Sequence, residues 1–320
     1  MPARKQVLKV RGRQVPVTNL DKIFYPAAGF TKGQVIDYYI RVSRYLLPHL
    51  KQRPVTMKRY PDGVQGEFFF EKNAPRFTPE WVKTFPVPRR TGKADIRYIL
   101  INDLPTLVWC ENLASLELHP FLHKVPHLDR PRTVVFDLDP GEGTGVLECA
   151  RAAFLLKEVL DELGLQAFPK VSGSKGIQVY VPVNTLVTYD MTQPFAHTVA
   201  RYLESDHKDF IIAEMAKEAR RGKVFIDWSQ NAGHKTTVGV YSLRAKHDRP
   251  FVSLPVEWEE LGHAMKKKDS DSLYFDPESA LARLEERGDL FAPVLKLKQK
   301  LPRDLTARFP VKTSFRPTGS

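Results

Sequence analysis

The chain has 320 residues, 42% of them hydrophobic, enough for a sizeable core in one large domain or two closely packed parts. Lys and Arg total 49 against 37 Asp and Glu, a formal charge of +12 that favours a polyanionic partner, nucleic acid first. No run of about 18 apolar residues argues for a membrane span, the basic start "MPARKQVLKVRGRQV" lacks an apolar signal core, and Cys110 and Cys149 alone argue against a disulfide framework or a cysteine zinc site; the expectation is a soluble, cytoplasmic protein with no membrane partner.

The elements follow in chain order. Up to about residue 75, short strands surround one clear helix, "TKGQVIDYYIRVSRYLLPHL". Thr31 is placed to cap it, and Val35, Tyr38, Tyr39, Val42, Tyr45 and Leu46 recur at helical spacing. "RPVTMKRYPDGVQGEFFFEK" predicts a hairpin turning at Pro61-Asp62-Gly63. Residues 76–130 carry short strands such as "IRYILI" and a short helix or turn around "LPTLVWCENLA". From residue 131 the pattern becomes strand, helix, strand. "RTVVFDLDP" is a strand, and "GVLECARAAFLLKEVLDELGL" is an amphipathic helix closed by Gly164. "AFPKVSG" and "GIQVYVPV" are strands around a Ser-Gly-Ser-Lys-Gly turn. "TQPFAHTVARYLES" is a helix with Thr192 as its cap, and "KVFIDWSQN" is a further strand. The class is α+β with central mixed or antiparallel sheets flanked by helices. Residues 1–300 are read as one domain, with an N-terminal part over 1–130 and a second part over 131–300. The proline-dotted tail, 301–320, is expected to be loose.

Residues i and i+2 of a strand share a face, so Asp137 and Asp139 of "VFDLDP" project together. Two parallel carboxylates are tolerated where a cation neutralises them, and oxygen ligands suit Mg²⁺ or Mn²⁺. Asp227 ends another apolar strand; were the two strands neighbours, three carboxylates would meet at one sheet edge. That set suits two divalent ions in phosphoryl or nucleotidyl transfer. Ser172 to Gly176 form a small turn whose N–H groups, with Lys175, could hold a triphosphate, although the Walker spacing is absent. "VFDLDP" is also similar to the nucleophile strand of haloacid dehalogenase-type phosphatases, but Pro140 and Gly141 follow it here, far from the N-terminus.

Taken together, "VVFDLDPGEG", "SGSKGIQVYVP" and "KVFIDWSQNAGHKTTVGVYSLRA" resemble the polymerase domain of bacterial ligase D, in the archaeo-eukaryotic primase superfamily. "VTNLDKIFYPAAGFTKGQVIDYY", "RPVTMKRYPDG", "FFEK" and "LELHP" occur in that family's order, so the resemblance runs from about residue 15 to 295. It implies a primase-like catalytic core with an N-terminal α/β part packed on it, and template-dependent nucleotide addition during non-homologous end joining. Ribonucleotides would be preferred, with Mn²⁺ favoured over Mg²⁺. By the same resemblance Asp137, Asp139 and Asp227 bind both metals, and Ser172, Lys175, Gln230 and Arg244 hold the incoming NTP or dNTP. His119 lies where the family has a nucleotide-pocket histidine. Asn19, Lys22 and Lys32 match a grip on the 5′-phosphate across a DNA gap, Phe69 and Phe70 match aromatics that stack on template bases, and Arg220 falls in a DNA-contacting stretch. Ku and a DNA ligase are implied as partners, at the nucleoid. Gln178 stands where the family usually has histidine, and is expected to keep a triphosphate contact through a neutral hydrogen bond. Two neighbouring readings stay open: a primer-independent primase, and a non-catalytic module that bridges DNA ends.

Overall fold

The computed structural model describes residues 5–302 apart from 90, 91, 93 and 217; residues 303–320 of the proline-dotted tail lie outside the described residues. Strands β1 (Lys5–Val10) and β2 (Arg13–Thr18) form an antiparallel hairpin. Helix α1 (Lys32–Leu50) starts at a capping box: Thr31 Oγ1 accepts from Gln34 N, and Gln34 Oε1 accepts from Thr31 N. Its periodic face, including Val35, Tyr38, Tyr39, Val42 and Leu46, is buried.

A five-stranded sheet follows. Strand β3 (Pro54–Arg59) pairs antiparallel with β4 (Phe69–Glu71). Gly63, at φ +80°, turns the connecting loop so close to Phe24 O that a Cβ would stand 2.9 Å from it. Strand β5 (Thr84–Val87) pairs with β6 (Ile96–Leu100), which also meets β3. Helix α2 (Leu104–Asn112), capped by Asp103, leads into β7 (Ser115–Pro120), the other neighbour of β3.

The second sheet has six strands. Strand β8 (Thr133–Pro140) is followed by α3 (Val146–Glu162), which Gly164 closes at φ +70°. Then come β9 (Phe168–Val171), β10 (Ile177–Pro182), α4 (Tyr189–Asp206), β11 (Ile211–Ile212), β12 (Val224–Asp227) and β13 (Leu254–Pro255). Their order is β11-β12-β8-β10-β9-β13, antiparallel except for β11 with β12. Helices α5 (Trp258–Lys267), α6 (Pro277–Arg287) and α7 (Ala292–Lys296) complete the chain. The architecture is α+β.

One apolar cluster joins both sheets. α1 ties the first sheet to the later chain: Tyr39 Oη donates to Leu116 O at 2.9 Å in that sheet, while Tyr38 Oη donates to Tyr241 O at 2.8 Å. No described helix is long and apolar enough to cross a membrane.

One local expectation is corrected. Thr192 does not cap α4; the helix begins a turn earlier, after Thr188, and Thr192 is fully buried inside it, its side chain on the core side and not at an exposed helix end. Phe69 and Phe70 are both exposed, at 45% and 53%, on β4, a short edge strand.

Candidate active site

The three aspartates meet as the topology requires. Asp137 and Asp227 are direct partners across β8 and β12, and Asp139 lies two residues along β8. On the other side of β8, Asp137 is opposite Gln178, which is opposite Lys170. A polar row therefore crosses four strands: Lys170, Gln178, Asp137, Asp227.

Each member is held. Gln178 Nε2 donates to Asp137 Oδ2 and to Thr237 Oγ1, both at 2.9 Å. Asp227 Oδ1 accepts from Ser229 N and Ser229 Oγ, and its Oδ2 accepts from Gln230 Nε2 at 2.9 Å. Lys170, wholly buried, donates to Ser253 Oγ at 2.6 Å. Burial, then repulsion from Asp139, pushes the Asp137 carboxyl up to about 7, with Gln178 and Lys170 pulling the other way. Asp139 is raised by burial and Asp227, against Arg220 and Arg244.

No three His, Cys, Asp or Glu side chains among the described residues stand in a ready metal-ligating arrangement. Asp227 is turned toward Ser229 and Gln230. The donor chemistry nevertheless fits hard divalent ions: oxygens only, two neighbouring carboxylates raised by burial and mutual repulsion, and a third across the strand pair.

Asp137 and Asp139 form one wall of a cleft of about 570 Å³. Lys175, Arg220, Arg244, Lys246 and His247 also line it. Lys175 is exposed, with no acid within ion-pair reach among the described residues. Ser172 lines the same cleft and is tied into its own turn. Its Oγ accepts from Ser174 N and Gly176 N, both at 3.2 Å, so two N–H groups of the turn are already engaged. The turn lies hard against β8: a Cβ on Gly176 would stand 2.3 Å from Leu138 O. The guanidinium of Arg220 stacks 3.6 Å from the Phe225 ring centroid and donates to Met215 O.

A second cluster adjoins the cleft. Glu117, buried on β7, accepts from Ala245 N at 3.0 Å and lies 3.6 Å from Arg244 Nε, 3.7 Å from Lys58 Nζ and 2.9 Å from His119 Nε2. Burial would raise the Glu117 carboxyl, but Arg244, His119 and Lys58 outweigh it and hold it far below its ordinary value. Burial lowers His119, favouring a neutral imidazole. The Phe70 ring meets His119 edge-on at 6.0 Å, and Lys58 lies 4.0 Å from the Phe68 ring centroid. Phe69 faces the other way, with Arg59 5.0 Å from its ring.

The remaining residues gather beyond Arg59. Lys32 is nearly buried; its Nζ donates to Thr18 O at 2.7 Å and Asn112 Oδ1 at 2.8 Å. Burial, then Lys22 and Arg59, pushes its ammonium down to about 8. Lys22 pairs with Asp62 at 2.5 Å, and Asn19, at φ +55°, accepts from Lys22 N through its carbonyl. The structure thus forms two groups: Asp137, Asp139, Asp227, Ser172, Lys175, Gln178, Gln230, Arg220 and Arg244 with His119 and Phe70 alongside, and Asn19, Lys22 and Lys32 at a distance along the chain's first part.

Lys58, Glu117, Lys170, Lys246 and His247 were not singled out from the sequence. Glu117 stood two residues before His119 in "LELHP", and a carboxylate on an apolar strand was the available signal.

Comparison with known proteins gives a consistent answer. The family model described as "LigD, primase-polymerase domain" matches residues 31–291. The chain is 38% identical over 286 residues to the multifunctional non-homologous end joining protein LigD of Mycolicibacterium smegmatis, covering 89% of this chain and 36% of that protein. It is 34% identical over 287 residues to the bifunctional non-homologous end joining protein LigD of Bacillus subtilis, covering 89% and 45%. The chain thus spans less than half the length of these relatives. The structure of the polymerase domain from Mycobacterium tuberculosis ligase D in complex with DNA superposes with a TM-score of 0.81 at 35% identity, covering 88% of this chain and 98% of that one.

Proposed function

From the premise that the chain belongs to the LigD primase-polymerase family, we propose that it adds nucleotides to DNA ends and gaps under template direction during double-strand break repair. One observation carries the reading: a cleft with paired carboxylates on one wall and Lys175, Arg220, Arg244 and Lys246 around the rest. That charge pattern complements a triphosphate delivered with divalent cations.

Asp137 and Asp139 would hold two divalent ions, Mn²⁺ or Mg²⁺, with Asp227 joining once its local hydrogen bonds rearrange. Bound there, such ions would activate the attacking 3′-hydroxyl and stabilise the departing pyrophosphate. The chain's own groups do the positioning. Gln178 keeps Asp137 oriented and, with Lys170, opposes the rise that burial and Asp139 give its carboxyl. Lys175 and Arg244 neutralise the β- and γ-phosphates, while Ser172 fixes the turn that carries Lys175. Arg244 is itself aimed by Glu117, which also orients His119; ribonucleotides would be the preferred substrates. Phe70 offers a stacking face for a base. Lys22 and Lys32 would grip a 5′-phosphate on the far side of the gap, with Asn19 shaping the turn beside them. Ku and a DNA ligase are the expected partners.

The test is primer extension on a gapped, 5′-phosphorylated template, with NTPs and dNTPs in Mn²⁺ and in Mg²⁺. Asp137→Ala with Asp139→Ala should abolish addition and leave DNA affinity within about twofold. Extension by that double variant would overturn the mechanism. Tight DNA binding without any extension by the unaltered protein would favour an end-bridging role.

A further inference from the structure

The β1–β2 hairpin has no part in the site described above. Residues 5–18 carry Lys5, Lys9, Arg11 and Arg13 and not one acid. Val15 and Val17 turn one face to the core, and Arg13 lies over Trp81, its Cζ 4.7 Å from the ring centroid. The register places Lys5 opposite Thr18, Val7 opposite Pro16 and Lys9 opposite Gln14. This face turns outward: Lys5, Val7, Lys9, Gln14 and Pro16 are all exposed. No described acid lies within ion-pair distance of Lys5, Lys9 or Arg11.

The turn adds an independent clue. Arg11 and Gly12 occupy it at φ +44° and +80°. Two-residue turns of this kind favour Asn or Asp followed by Gly. An arginine there holds a left-handed conformation at a conformational cost of roughly 1 kcal/mol. Packing does not explain it, because Arg11 is exposed. A charge kept at a strained, exposed tip points to a ligand outside the protein.

The hairpin's base locates that ligand. Thr18, its last residue, accepts the Lys32 ammonium through its carbonyl, and Thr18 N donates to the same Asn112 Oδ1 that Lys32 contacts. The cationic face therefore begins at the lysine assigned to the 5′-phosphate. Six strand residues reach about 20 Å, the length of about six base pairs at 3.4 Å each.

We propose that this outward hairpin face follows the phosphate backbone of the duplex downstream of the gap, with Lys5, Lys9 and Arg11 contacting it for about half a helical turn beyond the 5′-phosphate. The inference rests on the reading of Lys22 and Lys32 given above. It identifies a duplex partner at this face, where that reading calls only for a terminal phosphate.

The test measures affinity by fluorescence anisotropy for gapped, 5′-phosphorylated DNA with downstream duplexes of 4 and 14 base pairs. The variant is Lys5→Gln, Lys9→Gln, Arg11→Asn. Arg11→Asn relieves the turn, so the hairpin should remain folded, which a thermal melt checks. On the long duplex the variant should lose about tenfold in affinity, and its log–log salt slope should flatten by about 2 to 3, near 0.9 per lost contact. On the short duplex, which still passes Lys5 at the hairpin base but ends before Arg11 at its tip, it should lose distinctly less, about two- to threefold, and extension at saturating DNA should be unaltered. An equal loss on both lengths, or none on either, would overturn the proposal. A parent protein indifferent to the 5′-phosphate would instead refute the Lys22–Lys32 reading, and one that fails to extend primers would refute the polymerase reading; neither removes the length dependence.

Discussion

Gln178 separates two accounts of the cleft. The sequence suggested a residue that contacts the triphosphate; the structure aims its amide at Asp137 Oδ2 and Thr237 Oγ1. Gln178→Leu keeps the volume and removes both donors. A hydrogen bond to a charged acceptor is worth about 1.5–3 kcal/mol. If Gln178 serves Asp137, that whole amount falls on the ionised carboxylate. At about 1.4 kcal/mol per decade the loss corresponds to roughly 10- to 150-fold in apparent divalent-metal affinity. The assay is extension at saturating nucleotide while Mn²⁺ is titrated, followed by nucleotide titration at saturating Mn²⁺. The metal midpoint should move by at least tenfold, while the nucleotide KM at saturating metal changes less than threefold. An unchanged metal midpoint with a raised nucleotide KM would refute the reasoning and restore the triphosphate contact.

Other outcomes follow from neighbouring groups. Lys170→Met keeps the stem and removes a charge that burial already disfavours, so the thermal midpoint should hold or rise while extension falls about tenfold; full activity would reduce Lys170 to a packing residue. Lys32 binds phosphate only when charged, so 5′-phosphate-dependent affinity should decline as pH rises through about 8, measured as the ratio of affinities for phosphorylated and unphosphorylated gaps; a flat ratio from pH 7 to 9 would contradict it. Lys22→Ala with Lys32→Ala should remove that ratio and spare binding to unphosphorylated gaps. Asp289 accepts from Tyr241 Oη at 2.5 Å and Phe291 N at 2.9 Å, and lies 2.9 Å from His49 Nε2. Asp289→Ala should cost about 3–5 kcal/mol in urea unfolding. Burial would raise the Asp289 carboxyl, but His49 and Tyr241 hold it below its ordinary value. Its stabilisation is therefore present above the unfolded value, about 3.9, and fades as pH falls through the lower folded one.

Much of the architecture from residue 131 onward was legible because its signals are local. Apolar runs ending in Asp139 and Asp227 mark strand ends, Thr31 with Gln34 marks a helix start, and glycines mark the Ser172–Gly176 turn. What escaped depends on pairing across the chain. That Asp137 faces Asp227 and Gln178 is a matter of register, which no single segment contains. Lys170 reads as an ordinary strand lysine until four strands are aligned. Helices α5 and α6 begin at recognisable starts, Glu257 and Asp276-Pro277, but residues 251–300 carry no chemistry-bearing motif to anchor them to a site. That Phe69 and Phe70 are both exposed is likewise a matter of sheet position, since β4 lies at an edge.

The polar row has a bearing on how the chain reaches its working state. Its members are separated by 41 residues between Asp137 and Gln178, and Asn231 stitches both the N–H and the C=O of Val135 from 96 positions away. Such distant partners come together late in folding, because loop closure must precede them. The polar row, and the carboxylate site proposed on it, thus comes together with the same events that finish the six-stranded sheet, and an intermediate lacking β12 has no Asp227 to complete it.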